Sequence, residues 1–291
     1  MDGVLVVDKP EGLTSHDVVA VARRALREKR IGHTGTLDPL ATGVLPLACG
    51  KATRLVRFLS ASDKDYEATI RFGLTTDTYD ITGTETGRVP GPIRRAEVEA
   101  ALETLKGEYL QTPPPYSAKK VEGVRAYALA RRAQPVALKA VPVHVSALTL
   151  LDLDEERAVV RLTCSAGFYV RSFAHALGQA VGTGACLEAL RRTRSGDFTV
   201  EAAMTLDELQ ADPEAAAGWV LPLEGLLPRF PAVTVTDEGR LRASHGRELL
   251  PGHYSGRPEG WTRILDAEGR LLGLGQPGTH ADSLHPEVVL T

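Results

Sequence analysis

The chain has 291 residues, 43% of them hydrophobic and 24% charged, with 34 basic against 37 acidic side chains and a formal net charge of −3. That length suits one large domain plus a small one, and the composition is that of an ordinary globular protein. No apolar run approaches the roughly eighteen residues of a membrane helix, and Met1–Pro10 carries Asp2 and Asp8 where a signal peptide would be basic, so a cytoplasmic location is expected.

Cys49, Cys164 and Cys186 are odd in number, widely separated and form no CxxC pair. They read as reduced, mostly buried thiols, which excludes a zinc site and a disulfide framework. Charge is unevenly spread. Residues 1–200 hold 27 basic against 23 acidic side chains, and residues 201–291 hold 7 against 14. An enzyme of RNA needs only a local positive surface, although the same asymmetry also occurs in proteins that bind no nucleic acid.

In chain order, Val4 to Val7 reads as a buried strand ending in the turn at Lys9–Gly12. Thr14 or Ser15 can cap a helix running to about Arg30, with Val18, Val19, Ala22, Ala25 and Leu26 on one face. A loop follows, then a strand over Val44–Ala48 and a short amphipathic helix over Thr53–Leu59. Tyr66, Ala68, Ile70 and Phe72 alternate with Glu67, Thr69 and Arg71, the pattern of a half-buried antiparallel strand. Arg94–Leu105 predicts a helix, the three prolines at 113–115 force an extended run, and residues 124–132 look helical. Val141–Leu153 and Arg157–Ser165 predict strands, while Tyr169–Val181 and Ala185–Arg192 predict helices around Gly182 and Gly184. Strands and helices mix without a βαβ rhythm, so an α+β fold with a mixed, largely antiparallel sheet flanked by helices is expected. Composition breaks near Leu221–Pro231. Beyond it, short alternating runs predict a small C-terminal β-barrel, which gives domains of 1–226 and 227–291.

The densest signal is Gly32-His33-Thr34-Gly35-Thr36-Leu37-Asp38-Pro39-Leu40-Ala41-Thr42-Gly43. Three glycines and a proline exclude regular structure, so this loop is small, stiff and built around one carboxylate. Four more stretches stand out: Lys9–Ser15; Asp65-Tyr66-Glu67 with Gly73–Thr78; Pro114–Lys120 with Gly123 and Tyr127; and Cys164–Ser172 with Leu190-Arg191-Arg192 downstream. Taken in chain order over roughly the first 200 residues, the five blocks resemble the TruB family, enzymes that make pseudouridine in the T loop of tRNA.

The resemblance implies a pseudouridine synthase fold followed by a PUA-like RNA-binding domain, with tRNA (T loop and stem) as partner and no membrane. It implies no metal and no cofactor, since the reaction only rearranges one nucleotide. Asp38 matches the family's catalytic aspartate. Arg171 matches the arginine that pairs with it, read here as a bidentate clamp. Tyr66 matches the tyrosine that stacks under the target uracil, Tyr169 and Leu190 the pocket wall, and Lys9 a pocket-floor lysine. His33 matches the histidine that fills the space left by the flipped base. Taken singly, each has a plainer role: Asp38 as a turn cap, Tyr66, Tyr169 and Leu190 as core, His33 as a loop residue, Arg171 as a surface cation. Phe168 stands where relatives often carry a small polar residue. Asp77–Asp80 reads as a turn near the RNA rather than a metal site, with Asp80 holding backbone. Arg191, Arg192 and Arg194 read as a solvated face able to touch phosphate. A monomer is expected. The rival reading is a module that binds and folds tRNA without catalysis, which would have no use for Asp38, Tyr66 and Arg171 together.

Overall fold

The computed structural model describes residues 1–89, 91–117 and 138–291, with the short strands Lys120–Val121 and Val124–Arg125. Most of the expected helix over 124–132 lies outside the described residues, as do Ala118, Lys119, Gly123 and Tyr127. Val124–Arg125 themselves pair antiparallel with Lys120–Val121.

Alternating sequence builds the centre of the fold. Strand Lys64–Phe72 buries every second side chain, and Tyr66, Ala68, Ile70 and Phe72 enter the principal core. The sheet runs in the order Met204–Thr205, Gly3–Lys9, Ala41–Cys49, Ala185–Ser195, Lys64–Phe72, Arg157–Cys164, Val141–Leu153, Gly107–Gln111. Its pairings are antiparallel except where Ala185–Ser195 meets Ala41–Cys49 and where Gly3–Lys9 meets Met204–Thr205. The expected mixed, largely antiparallel sheet is therefore present. Helices Ser15–Ala25, Arg95–Thr104 and Val170–Val181 cover one face through Val18, Val98 and Phe173.

Two expected helices differ. The first starts where expected, with Thr14 and Asp17 forming a reciprocal capping box, but it stops at Ala25 instead of reaching Arg30. Arg27 has a φ of 50°, a left-handed conformation that no α-helix can absorb, and Arg23 Nη2 donates to the Ile31 carbonyl at 2.7 Å to turn the chain. The second is a correction of type. Ala185–Arg192 is not helical; it belongs to the strand Ala185–Ser195 at the centre of the sheet. Its helix-forming composition is overridden because both backbone edges find ladder partners, on 64–72 and on 41–49. The preceding helix ends at Gly182 in the left-handed conformation, which sends the chain straight back to the sheet.

The C-terminal strands form a five-stranded sheet in the order Tyr254–Ser255, Ala232–Val235, Thr262–Leu265, Leu271–Pro277, Leu284–Val289. Among the described residues these pairings leave it open rather than closed as a barrel. A second core joins it to the rest of the chain: Leu271, Leu274, Val288 and Leu290 pack with Val4, Val6, Val44 and Ala48 on the opposite face of the large sheet. The three cysteines are buried, and burial pushes their thiols up to about 11, 12 and 11 for Cys49, Cys164 and Cys186. Among the described residues no helix is long and apolar enough to cross a membrane.

Candidate active site

The Asp38 loop is fixed from both sides of its carboxylate. Before Asp38, Ser15 Oγ accepts from the Leu37 amide at 2.8 Å and lies 3.1 Å from the Leu37 carbonyl, tying the loop to the first helix. After it, the Pro39 carbonyl accepts from the Gly12 amide at 2.8 Å, and the Ala41 amide closes a turn on the Asp38 carbonyl at 3.0 Å. Lys9, with no exposed surface, donates to the carbonyls of Pro10 (2.8 Å), Leu13 (2.7 Å) and, more weakly, Pro39 (3.4 Å). Burial pushes the Lys9 ammonium down to about 8, and the nearby Asp38 carboxylate partly offsets this. The two motifs Lys9–Ser15 and Gly32–Gly43 are thus one structure. Together they leave the Asp38 side chain 39% exposed while its neighbours are immobilised.

Behind the carboxylate sits Arg171, at the start of helix Val170–Val181 and 6% exposed. Its Nε lies 2.8 Å from Asp38 Oδ2, an ion pair by distance, but the N–H is not aimed well enough to make a hydrogen bond. The remaining guanidinium nitrogens are committed elsewhere: Nη1 to the Thr78 carbonyl at 3.1 Å and Nη2 to the Tyr116 carbonyl at 3.0 Å. The expected bidentate clamp is therefore corrected to a three-way tie in which Arg171 joins the Asp38 loop, the 77–80 turn and the proline run. Asp80 supplies a second carboxylate, its Oδ2 3.6 Å from Arg171 Nη1. Its Oδ1 accepts from the Thr82 amide (3.1 Å) and from the hydroxyls of Thr82 (2.6 Å) and Thr78 (3.0 Å).

Tyr66 and Leu190 are 7% and 8% exposed and share the principal core, on neighbouring strands and on the same face. Burial raises the Tyr66 phenol above its ordinary range. Tyr169 caps the Arg171 helix, and Gln111 brackets its backbone, accepting from its amide at 2.8 Å and donating to its carbonyl at 3.1 Å. Burial raises its phenol too, with Ser117, Arg171 and Asp38 as charged or polar neighbours. His33 ends the short strand Ile31–His33 that leads into the loop, opposite Leu47. Among the described residues its Nδ1 is buried without a partner, and burial, then Arg192 and His16, push its imidazole below the usual range.

The expected solvated arginine face is also corrected. Arg192 is buried, Arg191 pairs with Asp8 at 2.7 Å and Arg194 pairs with Asp65 at 2.7 Å. Asp80 and Gln111 were not read from the sequence as site residues. The hydroxyls of Thr78 and Thr82 flanking Asp80 were the available signal for one; nothing local marks the other.

An exposed carboxylate on the loop that leads into the interior strand Ala41–Cys49, with a buried arginine and a second, buried carboxylate behind it and phenolic side chains nearby, is the architecture of a pseudouridine synthase fold. Solved structures share that fold over nearly the whole chain. The archaeal box H/ACA sRNP Nop10–Cbf5 complex aligns at a TM-score of 0.75 and 26% identity, covering 99% of this chain and 86% of that one. An H/ACA RNP bound to a substrate RNA containing 2′-deoxyuridine gives 0.74 and 26%, covering 99% and 85%. Residues 23–170 match the family model "TruB family pseudouridylate synthase (N terminal domain)", and residues 171–228 match "tRNA pseudouridylate synthase B C-terminal domain". Among curated relatives, tRNA pseudouridine synthase B of Solibacter usitatus is 45% identical over 100% of both chains. That of Thermobifida fusca is 45% identical over 99% of this chain and 98% of its own. The chain belongs to the TruB family of pseudouridylate synthases.

Proposed function

We propose that this protein isomerises uridine to pseudouridine in tRNA, at position 55 of the T loop, with Asp38 as the catalytic carboxylate. One observation carries the reading: an exposed carboxylate anchored from within by a buried guanidinium, which suits a charge that meets a substrate and must not move. The reaction breaks the N1–C1′ bond, turns the uracil over and joins C5 to C1′; the C5 hydrogen leaves and N1 gains one. Everything happens within one nucleotide, so positioning and a protected pocket are what the protein supplies.

A T-loop uridine is stacked, and extruding it costs a few kcal/mol, offset by stacking and hydrogen bonds in the pocket. Tyr66 stacks under the extruded uracil, Tyr169 and Leu190 close the wall, and Lys9 holds the floor. His33 fills the gap left in the loop, a role in keeping with burial holding its imidazole below the usual range. Residues 1–226 are the catalytic domain and 227–291 a PUA-like RNA-binding domain, whose acidity fits limited contact with the acceptor end. The protein acts as a cytoplasmic monomer.

The test is tritium release from an unmodified tRNA transcript labelled at uridine C5. Stoichiometric release by the native chain, lost in Asp38→Asn while the tRNA Kd stays within about threefold, is expected, because the variant removes a pocket charge and no phosphate contact. Full release by Asp38→Asn removes Asp38 from catalysis.

A further inference from the structure

Arg192 is a charged side chain that the reaction scheme leaves without a task. It is 1% exposed and lies at the centre of the sheet, opposite Gly43 on one neighbouring strand and opposite Tyr66 on the other. Among the described residues its partners are carbonyl oxygens, not carboxylates: Nε donates to Val44 at 2.7 Å and Nη2 to Gly35 at 3.2 Å. Three other basic side chains lie near it. Lys9, Lys64 and His33 are all pushed down by it, on top of the effect of their burial. Among the described residues no carboxylate forms an ion pair with it, so carbonyl dipoles hold its charge, an arrangement whose desolvation cost stability alone does not explain.

The backbone at Arg192 is held close to the strand that follows the catalytic loop. Gly43 has a φ of +101°, and a Cβ there would stand 2.1 Å from the Arg192 carbonyl oxygen, so the two strands come closer than any side chain at 43 permits. Gly35, which Arg192 holds, lies in the loop three residues before Asp38. Tyr66 and Arg192 are direct cross-strand partners on the buried face, a relation that puts Cβ atoms about 5 Å apart. Tyr66 registers the guanidinium: burial raises its phenol and Arg192 pulls it back.

We propose that Arg192 is a positioning residue for the isomerisation, one planar fork that ties the Gly35 carbonyl of the catalytic loop to strand 41–49 and braces the Tyr66 ring. It sets the distance between the aspartate and the platform on which the uracil rests. This rests on the roles proposed above for Asp38 and Tyr66. Lysine cannot replace it, because an ammonium lacks the planar fork that reaches the Val44 and Gly35 carbonyls and the Tyr66 ring together.

The experiment uses the full chain labelled with 3-fluorotyrosine, its Tyr66 resonance assigned by Tyr66→Phe, and compares native protein with Arg192→Lys and Arg192→Gln. In Arg192→Lys the Tyr66 line shifts or broadens while the other tyrosine lines stay. Single-turnover tritium release slows about 10²-fold, the penalty of roughly ångström misplacement, and the tRNA Kd stays within about threefold. Arg192→Gln, which removes the charge as well, is the variant at risk of not folding; Arg192→Lys keeps the charge and loses only the fork. An unmoved Tyr66 line, a native rate, or displacement of all tyrosine lines with matching loss of tRNA affinity overturns the assignment, the last making Arg192 purely structural. If the native chain releases no tritium, the proposed function fails; the fluorine spectra then still report whether Arg192 braces Tyr66.

Discussion

At the scale of the residue, Asp38 gains its usefulness from what restrains its neighbours. Ser15 holds Leu37, Gly12 and Lys9 hold Pro39, and Arg171 stands behind the carboxylate without forming an aligned hydrogen bond to it. Because Arg171 also carries the Thr78 and Tyr116 carbonyls, Arg171→Lys is expected to slow single-turnover catalysis by about 10²-fold, since an ammonium reaches one of these partners and not all three. Native kinetics in that variant would separate the arginine from catalysis. The Asp38–Arg171 pairing was legible in the sequence because each lies in a distinctive string. Asp80 was not, since its part depends on a guanidinium ninety-one positions away. A second prediction concerns pH. Burial, then Arg192, push Lys64 down to about 8 from 10.5. Between those values the unfolded chain binds more protons than the folded one, so stability rises with pH across that window. Relative to Lys64→Met, the native protein is expected to gain on the order of 3 kcal/mol between pH 8 and 10.5, measured by urea unfolding. A flat difference would mean that Lys64 is not held in the way its burial implies.

At the scale of the element, the sequence spoke most clearly where one face meets solvent or a cap is chemically explicit. Strand 64–72 follows its alternation, and helix 15–25 begins at its Thr14–Asp17 box. Thr14→Ala removes the cap and is expected to cost about 1 kcal/mol in denaturant unfolding; no change would mean that tertiary contacts alone hold the first turn. Strand 185–195 differs from the expected helix for a physical reason. A strand buried at the centre of a sheet loses the strict alternation of a half-exposed one, and Ala185, Leu187, Ala189 and Leu190 favour helix when taken locally. Only the partners on either side, more than a hundred residues away in sequence, make it a strand. Its alternation does return at the end, where Leu190 and Arg192 point inward.

At the scale of the whole molecule, the mixed, largely antiparallel sheet was legible, but the packing of the C-terminal strands against the large sheet was not. Val4, Val6, Val44 and Ala48 pack with Leu271, Leu274, Val288 and Leu290 in one core, so the two segments share a buried surface. The full chain is expected to unfold in one cooperative transition by calorimetry, and two well-separated transitions would contradict that coupling. The net charge of −3 hid the basic excess of the first 200 residues, which is where a polyanionic substrate must be met. The most direct test of the account is to locate the product. An unmodified tRNA transcript is incubated with the native chain or with Asp38→Asn, treated with a carbodiimide that marks pseudouridine, and read by primer extension. One new stop at the T-loop uridine, position 55, present with the native chain and absent with Asp38→Asn, is the predicted result. A stop elsewhere, none at all, or the same stop with Asp38→Asn would contradict it.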